Sequence, residues 1–158
     1  MTTENRYDPI QQYIDESRIQ RLLSLYAHNL DDGKFTENAL LFEHADFIVI
    51  NDFAHGSQEV KQFFENGVQR HEDGTPRTWH SVSNVLIELS ATGETARSVC
   101  YFTVHQALDA FPLQPICAGR YEDSFEKYQG EWRFTSRKVV PRLMGDVHLH
   151  VGQPLDSH

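Results

Sequence analysis

The chain has 158 residues, with 14 Lys+Arg against 23 Asp+Glu, a net charge of −9 when the histidines are neutral. That is the size of one domain that holds a core without staples, and the negative charge argues against nucleic-acid phosphates or an anionic membrane surface as partners. A hydrophobic content of 39% argues against a disordered chain, and two cysteines, Cys100 and Cys117, make no disulfide framework.

The opening MTTENRYDP has no apolar run, so no leader is expected and the expected location is the cytoplasm. Residues 1–8 read as a flexible arm. From Asp15 onward Ile19, Leu22, Leu23, Tyr26 and Leu30 recur at helical spacing and form one stripe. Asp15 is the expected N-cap, and Asp31-Asp32-Gly33 the stop, with Gly33 free to turn left-handed. A short helix is expected over 35–43 and a buried strand over FIVI, 47–50. A third helix, 58–70, capped by Ser57, would face inward with Val60, Phe63, Phe64 and Val68. HEDGTP, 71–76, is turn-rich.

Strand-like runs follow at 77–90, 95–108, 115–128 and 132–142, joined by short turns as antiparallel hairpins. Helices followed by a long meander define an α+β fold: N-terminal helices packed on a curved antiparallel sheet that encloses a pocket, a cone-shaped α+β barrel. Residues 146–158 are left as a tail or lid.

Asp31 follows the apolar stripe and sits at a helix C-terminus, where the macrodipole disfavours a carboxylate. It reads either as a solvated turn residue or as a carboxylate at the pocket edge. In RTWHSVSNVLIEL, alternation puts His80, Val82, Asn84 and Leu86 on one face and Val85, Ile87 and Leu89 on the other. His80 is then a core histidine or part of a pocket wall. His105 shares a face with Tyr101 and Thr103. Arg120 and Glu122 share a face opposite Tyr121 and Asp123, the usual pattern of a wet side. Tyr26 belongs to the helical stripe. His148 and His150 in VHLHV have the spacing of a metal-binding pair on a strand, but no third ligand stands at a recognisable spacing, so no metal is expected. No GxGxxG, GxxxxGK[ST] or GxSxG occurs, and no cofactor is expected.

The segments LYAHNLDDGKF, LLFEHADFIVI, RTWHSVSNVLIEL and GRYEDSFEKYQGEWRFTSRKV, in that order, resemble the SnoaL-like family of the nuclear transport factor 2-like superfamily. The likeness covers roughly residues 10–145 and implies the cone-shaped fold. The superfamily's cofactor-independent lyases carry an Asp at the end of the first helix and a His in the first long strand, positions that Asp31 and His80 match. The resemblance further implies pocket roles for Tyr26, His105 and Asn84. Arg120 falls where a relative has a pocket side chain of another type, and the arginine of some relatives falls nearest Arg142, one residue out of register. On this basis the expected activity is a cofactor-independent lyase or isomerase of dehydratase type on a small, largely apolar molecule. His80 would be the general base, oriented by Asp31. The alternative is a non-catalytic ligand-binding protein, or a structural partner like the small subunit of a ring-hydroxylating dioxygenase. Val85, Ile87 and Leu89 with Cys100, Phe102 and Val104 would form an apolar outer sheet face, implying a homodimer or homotrimer.

Overall fold

The first helix begins a full turn and more before its apolar stripe. The computed structural model describes residues 7–152, and in it α1 spans Pro9–Asp31. The Asp8 side chain accepts the Ile10 N–H at 3.2 Å, and Pro9 fills a first-turn position that needs no N–H. Asp15 is therefore not the cap. It is fully buried within α1 and accepts from Trp132 Nε1 at 2.7 Å and Lys127 Nζ at 3.0 Å. It ties the helix to a hairpin more than a hundred residues away, a long-range partnership that local spacing does not reveal. Of the expected arm, residues 1–6 lie outside the described residues, as do 153–158 of the expected tail.

Gly33 ends α1 with φ +71°, and a Cβ there would run into the Gly74 carbonyl oxygen. The turn that delivers Asp31 thus requires glycine for both dihedral and space. Next come α2 (Phe35–Leu40) and the hairpin of β1 (Asp46–Val49) with β2 (Asp52–His55). α3 (Gly56–Gly67) is capped at His55 rather than Ser57. Glu59 accepts the His55 backbone N–H at 2.7 Å.

Four long strands complete the chain: β3 (Thr78–Leu89), β4 (Thr95–Leu108), β5 (Phe111–Tyr128) and β6 (Glu131–Met144). The sheet order is β2-β1-β6-β5-β4-β3. All pairings are antiparallel except β1 with β6. The sheet is curved and unclosed, with α1 lying against β3 and β6, as the α+β reading requires. Aromatic side chains fill the space between: Phe42 stacks on Phe134 at 4.9 Å and meets Phe47 edge-on at 5.1 Å. Among the described residues no helix is long and apolar enough to cross a membrane.

The expected division of sheet faces is overturned. Between Ser83 and Leu86 the β3 register advances three residues while β4 advances two, and Asn84 sits in the left-handed region at φ +52°. This β-bulge reverses the alternation. Thr78, His80 and Val82 face the helices before it, and Val85, Ile87 and Leu89 join the core after it. Cys100, Phe102 and Val104 are likewise buried. The apolar set expected outside is the interior. The outer face instead exposes Trp79, Leu86 and Tyr101.

Candidate active site

α1 and β3 meet where the helix ends, and Asp31 spans the junction. Its Oδ1 accepts from Thr78 Oγ1 at 2.8 Å and lies 2.5 Å from His80 Nδ1. Its Oδ2 accepts the His80 backbone N–H at 2.7 Å. These donors offset the unfavourable dipole at the helix end. A carboxylate only accepts, so the geometry places a proton on Nδ1 and leaves the Nε2 lone pair open. The His80 side chain is 4% exposed and that of Asp31 15%, so the pair interacts away from bulk water.

Tyr26 lies one and a half turns before Asp31 and is buried against Phe42, Phe47 and Tyr121. Burial pushes its hydroxyl up to about 12; Arg137 draws it down, while Asp123 and Asp31 raise it further. It stays protonated at neutral pH, within the field of the Asp31 carboxylate.

The other three expected pocket residues are not brought to this pair. Asn84 is exposed at the bulge, on the opposite face from His80. His105 faces outward with Tyr101 and Thr103, because its neighbours Val104 and Gln106 take the interior. It lines an outer groove of about 640 Å³ with Trp79 and Leu113. Arg120 is exposed, its guanidinium 5.1 Å from the Tyr101 ring centroid. Arg142 and Arg120 both line a second outer groove of about 400 Å³.

Sequence reasoning missed a charge pair inside the cone. Arg137 Nε and Nη2 donate to the two Asp123 oxygens at 2.8 and 2.9 Å, and both side chains are 0% exposed. Burial opposes the guanidinium charge and the Asp123 carboxylate more than offsets it, so Arg137 stays protonated. The cation rests 3.9 Å from the Tyr121 ring centroid and 4.3 Å from that of Tyr26. A signal existed: Asp123 and Arg137 stand nearly symmetrically about the Gln129-Gly130 turn, and the ladder pairs them directly.

The VHLHV segment is a turn and not a strand carrying two like-facing imidazoles. His148 is exposed and bonds Asp146 through Nδ1. His150 turns inward, its ring centroid 6.5 Å from that of His80 at an interplanar angle of 62°. Among the described residues no group of three His, Cys, Asp or Glu side chains is placed to hold a metal. A groove of about 580 Å³ beside the segment is lined by His71, Glu72, Asp73, Arg77, Leu108 and Leu149, among others. Neither Asp31 nor His80 lines it.

The fold and the sequence together define the class. The SnoaL-like domain model matches residues 11–138, and the chain belongs to the SnoaL-like family. No curated protein matches its sequence. Solved structures resemble it at low identity, with cystatin-like and nuclear transport factor 2-like folds among them. A protein of unknown function from Mycobacterium tuberculosis is 21% identical with a TM-score of 0.72, over 87% of this chain and 78% of that one. A provisionally named scytalone dehydratase from Novosphingobium aromaticivorans is 21% identical, TM-score 0.68, over 93% and 97%. The beta subunit of a provisionally named aromatic-ring-hydroxylating dioxygenase from the same organism is 17% identical, TM-score 0.67, over 91% and 99%.

Proposed function

We propose that the protein is a cofactor-independent lyase or isomerase of dehydratase type, acting in the cytoplasm on a small, largely apolar organic molecule. The observation that carries this reading is the double hold of Asp31 on His80, at the ring and at the backbone. His80 Nε2 takes a proton from a carbon next to a carbonyl or a leaving group. Asp31 keeps the imidazole in the required tautomer and stabilises the imidazolium that forms. The Tyr26 hydroxyl, protonated and in the same interior, is available to hydrogen-bond charge that develops on the substrate. The buried, aromatic surroundings suit an apolar substrate.

A second reading is a ligand-binding or structural subunit. It is favoured by how little of His80 meets solvent and by the likeness to a dioxygenase beta subunit. A thermal-shift screen of hydroxylated, carbonyl-bearing and halogenated small molecules separates the two, because a ligand of the folded state raises its melting temperature. Hits are then incubated with wild type, Asp31→Asn and His80→Gln. Conversion that disappears in both variants supports the enzyme. Hits that bind and are never converted support the carrier.

A further inference from the structure

The chain's last described turn brings His150 beside His80 and is held by several hydrogen bonds. The Gln69 backbone N–H donates to the His150 carbonyl at 2.8 Å. Val151 bridges to Val68, and the Gly152 N–H reaches the Gly67 carbonyl at 2.8 Å. Gln106 Nε2 also donates to the Leu149 carbonyl at 3.1 Å, and His71 Nε2 meets the same oxygen at 2.8 Å. A Cβ on Gly152 would strike the Asn66 carbonyl oxygen, so this contact between backbones is close along its length. A segment so anchored fixes the side chain it carries. That side chain is the His150 imidazole, whose Nδ1 is buried with no hydrogen-bond partner among the described residues.

A buried polar nitrogen left unpartnered costs about 1–3 kcal/mol. Its persistence beside a second imidazole calls for a ligand that satisfies it. Of the side chains expected to address a substrate oxygen, His105 and Asn84 lie on the other face of the sheet, which leaves Tyr26 in the interior with His150. We propose that His150 is a catalytic residue of the same site, hydrogen-bonding a carbonyl oxygen of the substrate while His80 takes the proton beside it. This rests on the reading of His80 as the base.

The environment sets the form in which His150 acts. Burial and the neighbouring His80 lower its pKa to about 4; Asp31 pulls it upward and His71 downward. Its imidazole is uncharged at neutral pH, with one nitrogen donating and the other accepting. A neutral imidazole stabilises a developing enolate without fixing a full charge beside His80. The electron count closes. The C–H bond breaks, its proton goes to His80 Nε2 and its electron pair forms the C=C bond. The carbonyl π pair moves onto the oxygen that His150 holds. When the β C–O bond breaks, that pair returns, and hydroxide leaves with the C–O pair, takes the proton from His80 and departs as water.

The test uses the full chain labelled with ¹⁵N-histidine and 2-naphthol as a probe, since its oxygen on an apolar ring has the shape of an enolate. The expected result is that naphthol shifts the ring nitrogens of both His80 and His150. His150→Phe should bind it about tenfold more weakly, and His150→Gln, which retains an amide donor, should recover most of the loss. The wild-type shifts stand even if a variant folds poorly. A shift at His80 alone overturns the role of His150 and leaves His80 as base. Shifts at neither histidine overturn both. Shifts at both, with undiminished binding by folded His150→Phe, overturn the oxygen contact.

Discussion

Asp31 grips His80 at two points, so that ring orientation and strand position depend on the same carboxylate. Changing Asp31 to Ala leaves the Thr78 hydroxyl and the His80 backbone N–H without their acceptor. The expected loss is about 1–3 kcal/mol of stability, read from urea denaturation. Asp31→Asn keeps the shape, but in either orientation its NH₂ faces a donor, the His80 ring N–H or the His80 backbone N–H. On a converted substrate its kcat, measured below the melting temperature of the variant, should fall about 10³–10⁴-fold.

The lowered pKa of His150 makes stability depend on pH. In the unfolded chain its imidazole titrates near 6.5, and in the folded chain at about 4. Between those values the unfolded state binds more protons, so stability is fully present above about 6.5 and falls as pH drops toward 4. The loss from this group reaches at most about 3 kcal/mol. Urea midpoints at pH 7 and pH 4.5 should diverge more for wild type than for His150→Gln. Equal divergence would remove His150 as the cause.

Breaking the interior ion pair should be far costlier than replacing it. Arg137→Met strands the Asp123 carboxylate, with an expected cost of about 3–5 kcal/mol. Adding Asp123→Leu should restore part of it, because the double variant leaves no buried charge unmatched. Denaturation of both single variants and the double forms a cycle that isolates the pair.

The outer sheet face carries Trp79, Leu86, Leu113 and Leu143, each more than two-thirds exposed. If this set is a surface for association, its burial between copies removes apolar area from water. Light scattering should give a mass of two or three 18.3 kDa chains. Trp79→Glu with Leu86→Lys should reduce that mass to a single chain. A wild-type mass of one chain at micromolar concentration refutes the association.

Local rules carried the reading where one residue decides one feature. The stripe from Ile19 to Leu30 marks the buried face of α1, and Gly33 marks its end. Asp31 and His80 stood out because each breaks a local expectation, a carboxylate at a helix C-terminus and an imidazole among apolar strand residues. Local rules failed where distant chain decides. Asp15 looked like a cap because nothing nearby announces Trp132 and Lys127 as partners. DFAH is too short to show alternation, so β2 went unseen. The sheet faces were exchanged beyond Ser83, because an asparagine at positive φ leaves no mark in a hydrophobic pattern. The resemblance places His105 in the pocket with His80, but it pairs with Trp79 and faces outward, and no rule of spacing tells which side of a curved sheet is concave. Asp123 falls opposite the wet side, but nothing local marks Arg137 as its partner, since burial of a charge shows only when its partner is in register.

Asn84 is one residue more than the alternation of β3 requires. Ser83 and Asn84 both point outward, and the inward series resumes at Val85. Deleting Asn84 would therefore leave every inward side chain facing inward, His80 included, while removing the added bend and twist that a bulge gives its strand. Composition of the interior and curvature of its wall are thus independent variables in this chain. A line of descent could flatten or tighten the sheet by gaining or losing single residues at this point, reshaping the wall that carries His80 without touching the residues that hold it.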